Sequence, residues 1–67
     1  MQTEKIATRL VQLRKSRGET QKEVADAIGV ETMTISYYES GQRIPRDEIK
    51  IKLANHYDVS VQTLFFD

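Results

Sequence analysis

The twenty residues from Thr20 to Glu39, TQKEVADAIGVETMTISYYE, constrain the fold more than any other part of the chain. They open with Thr20-Gln21-Lys22-Glu23, a T-x-x-E capping box in which the threonine hydroxyl takes the Glu23 amide and the glutamate reaches back to the Thr20 amide. A helix therefore starts here, with Val24, Ala25 and Ile28 as its buried side, and Gly29 supplies the left-handed residue that turns the chain at once. The faces of the helix that follows separate by angle, at about 100° per residue. With Ile35 toward the core, Tyr38 and Glu39 lie on its side, whereas Met33, Tyr37 and Ser40 point away. Ser36 is on the flank and Thr32 at the exposed first turn.

The remaining segments read as helices of similar length. Apolar Ile6, Leu10 and Leu13, spaced four and then three apart, put one stripe on a first helix from Thr3 to Arg17 that stops at Gly18. Ser40-Gly41-Gln42-Arg43 ends the third helix, and Pro45 suits the first position of a fourth, with Asp47 and Glu48 near its positive end. Ile49, Leu53 and Tyr57 are its buried stripe. Asp58 serves as the next turn residue, and Ser60 caps a last short helix carrying Leu64, Phe65 and Phe66. Strand alternation, hairpin dipeptides and internal repeats are absent from the sequence. The expectation is an all-α fold, a compact bundle of five short helices forming a single domain over residues 1–67.

A chain of 67 residues has a small core that oligomerisation often supplements. It contains no cysteine, so neither disulfides nor thiolate metal sites are available. No apolar run is long enough to span a membrane, and MQTEKIATRL lacks the apolar centre of a signal peptide, which together predict a soluble, cytoplasmic protein. His56 is the single histidine, and Ser36, Ser40 and Ser60 have no histidine partner arranged for nucleophilic attack. No catalytic residue, metal site or cofactor is implied, and no small-molecule effector is evident.

Ten basic and ten acidic side chains cancel. Their distribution is uneven: Lys5, Arg9, Arg14, Lys15 and Arg17 face only Glu4 before Gly18, while Lys22 is alone against Glu19, Glu23, Asp26, Glu31 and Glu39 in the next stretch. Binding to a polyanion would therefore be built from individual placements and not from a basic face.

In order and spacing, LRKSRGETQKEVADAIGV, the run Ile35-Ser36-x-Tyr38-Glu39-x-Gly41, Pro45 and the closing Val59-Ser60-x-x-x-Leu64 resemble the Cro and phage-repressor type of helix-turn-helix protein, the xenobiotic-response-element family. The resemblance covers nearly the whole chain. It implies a sequence-specific transcriptional regulator of double-stranded DNA, a repressor of bacterial or phage type, with the second of the paired helices in the major groove. By position, Thr32, Met33, Ser36 and Tyr37 would face bases, while Gln21, Ser40, Arg43 and Arg46 would meet phosphates. Glu39 and Arg14 look like the buried Arg-Glu pair of several family members, structural in role. Two departures stand out: Glu31 replaces a frequent capping serine, and Glu19 replaces an apolar staple residue. The groove side has no Lys or Arg, so readout would rest on methyl contacts from Met33 and Thr32, hydroxyl bonds from Ser36 and Tyr37, and DNA shape.

Adjacent Phe65 and Phe66 bear on assembly. The expectation is a homodimer on an inverted-repeat operator, with Val61, Leu64, Phe65 and Phe66 at the interface. The alternative is that both rings close the core from two sides. A second functional class also stands: the same fold can act as a protein-interaction module, antitoxin-like or co-regulatory, which zero net charge and an uncharged groove side would suit.

Overall fold

The computed structural model describes residues 3–67, all helix and turn with no strand among them. Five elements follow in chain order: α1 Thr3–Ser16, α2 Gln21–Ile28, α3 Thr32–Ser40, α4 Asp47–Tyr57, and a closing π-helical segment Gln62–Phe66, α5. None of the described helices is long and apolar enough to cross a membrane.

Local chemistry accounts for the boundaries. The Thr20 capping box is complete, with the Glu23 amide donating to Thr20 Oγ1 at 3.1 Å and the Thr20 amide to Glu23 Oε1 at 2.8 Å. Helices α2 and α3 end the same way. Gly29 and Gly41 take φ of 79° and 81°, a left-handed conformation in which a Cβ is strained, and the amide of the following residue returns to a carbonyl five positions back. Those returning bonds are Val30 to Ala25 at 3.0 Å and Gln42 to Tyr37 at 3.0 Å. Asp58 does the same at the end of α4 with φ of 58°, and the Val59 amide reaches Ala54 at 3.0 Å. Ser60 Oγ accepts the Thr63 amide at 3.0 Å, a capping bond at the start of α5.

Helix α1 ends at Ser16, beside the expected Arg17, and one boundary differs from expectation. Pro45 is not the first residue of α4: Arg46 is extended (ψ 164°) at the N-cap, so the helix begins at Asp47, and Pro45 is buried within the preceding loop. Asp47 and Glu48 still occupy the first turn, where the helix end is positive.

The core gathers Ile6 and Leu10 of α1, Val24, Ala25 and Ile28 of α2, Ile35 and Tyr38 of α3, Ile49, Leu53 and Tyr57 of α4, and Leu64 and Phe65. Helix α3 packs on both α1 and α2, α4 rests on α2, and α5 on α1. The arginine of α1 that faces this last element closes it: Arg9 donates to the Thr63 carbonyl at 3.0 Å, the Leu64 carbonyl at 3.2 Å and the Asp67 carbonyl at 2.6 Å, capping oxygens that a helix end leaves unpaired.

Leu64 and Phe65, expected at a subunit interface, are 1% and 2% exposed and belong to the core. Neighbours on a helix are about 100° apart, so an element seated in a corner of the bundle can bury two adjacent side chains and expel the third. The third is Phe66, 57% exposed, which excludes the alternative in which both rings are core. It shares a shallow apolar surface with half-buried Val61 and with Ile51 of α4, a residue the helical periodicity of α4 left unassigned.

Candidate nucleic-acid interface

Helix α3 presents one face outward. Ile35 and Tyr38 are buried, whereas Thr32, Ser36 and Ser40 are exposed and Met33 is 62% exposed. Tyr37 lies half-buried on the same face, its hydroxyl donating to Met33 Sδ one turn earlier at 3.3 Å. The outward set is therefore methyl, thioether, hydroxyl and phenol, and it stands on a short helix packed against two others. At the tip, Glu31 occupies the N-cap with no side-chain hydrogen bond, leaving α3 uncapped where a serine would have closed it.

A polar cluster behind α3 fixes its angle to α2. Arg14 Nε donates to Glu39 Oε2 at 2.8 Å and Oε1 at 3.1 Å, and another guanidinium nitrogen reaches the Glu19 carbonyl at 3.0 Å. Gln21 Nε2, at the first position of α2, donates to the same Glu39 carboxylate at 3.1 Å. The structure thus brings Arg14 and Glu39 together, with side chains 15% and 5% exposed, and it adds Gln21 to the pair. The hydrogen bond to Glu39 raises the Arg14 pKa above its ordinary value. Tyr57, beneath the cluster, is pushed up to about 12, first by burial and then by the Glu39 and Glu19 carboxylates.

Glu19 explains its own departure from an apolar staple. Its carboxylate meets His56 Nε2 at 2.9 Å and Arg17 Nε at 3.5 Å, pinning the loop between α1 and α2 to the end of α4. The sequence offered no route to this contact, because the partners are 37 positions apart and neither belongs to a periodic stripe.

The flanks hold the candidate phosphate ligands. Gln21 is half-buried at the start of α2, and the second hydrogen of its amide is not used by Glu39. Arg43 and Arg46 are exposed in the loop from Gly41 to Arg46, and the Arg43 guanidinium sits 4.5 Å from the centre of the Tyr37 ring. Ser40 is exposed at the end of α3, its hydroxyl donating to the Tyr37 carbonyl at 3.2 Å and accepting from Gln42 Nε2 at 3.0 Å.

A helix-turn-helix family model matches residues 10–64. The chain is 37% identical over 60 residues to the cryptic phage CTXphi transcriptional repressor RstR of Vibrio cholerae serotype O1, a match covering 90% of this chain and 54% of that protein. It is 33% identical over 61 residues to Repressor protein C of Escherichia phage P2, covering 91% of this chain and 62% of that one. Among solved structures, a transcriptional regulator from Listeria innocua is similar with a TM-score of 0.84 and 33% identity, over 90% of this chain and 56% of that one. The chain thus spans little more than half the length of these relatives. The match runs through both paired helices and the outward face of the second, and the chain belongs to the helix-turn-helix family, in its Cro and phage-repressor branch.

Proposed function

We propose that the chain binds double-stranded DNA as a homodimer, each copy laying α3 in the major groove of one half of an inverted repeat, and represses transcription in the cytoplasm of a bacterial or phage-infected cell. The observation that carries this reading is the outward face of α3, exposed at Thr32, Met33, Ser36 and Ser40 and held against α2 by Arg14, Gln21 and Glu39. Thr32 and Met33 offer methyl groups to thymine, Ser36 offers a hydroxyl to a base edge, and Gln21, Arg43 and Arg46 flank them for phosphates. Repression comes from the relatives, two of which are named as phage repressors.

An uncharged α3 face at zero net charge also suits a protein partner. Selection from random duplexes followed by a salt titration separates the two readings. A DNA regulator enriches a symmetric site and loses affinity steeply with salt, by about 0.9 in the logarithmic slope for each phosphate contacted. Failure to bind any duplex better than bulk DNA at low ionic strength rejects the regulator and favours the protein partner.

A further inference from the structure

The loop after α3 brings one side chain, Arg43, back to the edge of the face that α3 presents. From Gly41 onward the Gln42 and Arg43 amides both donate to the Tyr37 carbonyl, at 3.0 and 3.3 Å, and Gln42 Nε2 holds Ser40 Oγ at 3.0 Å. These tethers deliver the Arg43 guanidinium to the ring of Tyr37, its central carbon 4.5 Å from the ring centre. The ring is itself fixed at its far end, where the hydroxyl donates to Met33 Sδ at 3.3 Å. Helix α3 contributes no Lys or Arg of its own.

A guanidinium stacked on a tyrosine is held by the negative face of the ring and keeps its in-plane N–H groups free at the edges. A tyrosine so covered, with its hydroxyl turned toward a neighbour, is poorly placed to read a base. We propose that Tyr37 is a positioning residue for Arg43, holding the guanidinium at the border of the α3 face so that it donates to a DNA backbone phosphate beside the groove. The inference rests on the DNA-binding reading and changes the role of Tyr37 within it. Arg43 then supplies the charge-assisted contact that no side chain of α3 can make.

The test uses the full chain and a mixed-sequence duplex of roughly three helical turns, titrated with salt. Arg43→Gln should weaken binding and flatten the logarithmic salt slope by about 0.9. Tyr37→Leu should weaken it about two- to fivefold, the value of a lost exposed stacking contact. Tyr37→Phe should bind like the parent because the ring remains, and Tyr37→Leu should have no further effect once Arg43→Gln is present. Tyr37→Phe as weak as Tyr37→Leu, or additive effects of Tyr37→Leu and Arg43→Gln, would overturn the inference by showing that Tyr37 meets DNA itself. If Tyr37→Leu fails to fold, Tyr37→Trp decides: its larger face must hold Arg43 at least as well, and weaker binding overturns the proposal. A parent that binds no duplex defeats this inference and the DNA-binding reading together, whereas a parent that binds with additive variants defeats this inference alone.

Discussion

Glu39 accepts hydrogen bonds from α1 and α2 while standing on α3, so one carboxylate sets the relation of three helices. Glu39→Ala leaves Arg14 facing the core without its partner, and equilibrium denaturation should show a loss of roughly 3 kcal/mol, the lower part of the range for buried pairs because Arg14 retains some solvent access. Replacing both partners, Arg14→Met with Glu39→Leu, should recover most of that stability; a double variant as unstable as the single one would show that the pair contributes more than mutual neutralisation. Tyr57 makes a second prediction. Its folded pKa of about 12 lies above that of an unfolded tyrosine, about 10, so the folded chain retains a proton that the unfolded chain gives up. The stability from the neutral phenol is complete below the unfolded value and is lost as pH rises through the folded one. Tyr57→Phe should therefore unfold less steeply than the parent in an alkaline titration followed by circular dichroism.

At the scale of elements, most helix starts and stops are written within a few residues of themselves, which is why the capping box, the two faces of α3, the left-handed turn at Gly29 and the chain reversals at Gly41 and Asp58 were legible in the sequence. What was not legible joins distant elements. Arg9 counted only as a charge, yet its carbonyl partners lie 54 to 58 positions away. Glu19 and His56 had no periodicity to link them, and the burial of Pro45 depends on a neighbouring surface that the proline itself does not encode. The site was legible as a face but not in its local contacts: the angular reading separated Met33 from Ile35, whereas the bond from Ser40 to the Tyr37 carbonyl and the approach of Arg43 to the Tyr37 ring needed coordinates. The uncapped start of α3 gives a prediction at this scale. Glu31→Ser should accept from a first-turn amide such as Met33 and stabilise the fold by about 0.5 to 1 kcal/mol, raising Tm by roughly 2 to 8 °C in a thermal melt. An unchanged or lower Tm would mean that Glu31 already serves the positive helix end equally well.

The backbone of the described residues extends over 26 × 23 × 22 Å, shorter in every direction than the roughly 34 Å between successive major grooves on one side of a duplex. On the proposed inverted repeat, each half-site would therefore be read by its own copy of this unit. The proposed dimer would use the surface of Phe66, Ile51 and Val61, since Leu64 and Phe65 are buried in the core. Phe66→Glu should yield a folded monomer by sedimentation, with its helical signal intact; a parent already monomeric at high concentration would remove the dimer. The left-handed helix ends bear on kinetics as well as shape. Each reversal is closed by bonds spanning five or six consecutive residues, contacts whose loop-closure entropy is small. A helical domain built from such local decisions folds in microseconds to milliseconds, and a molecule opened by thermal fluctuation is restored on that timescale.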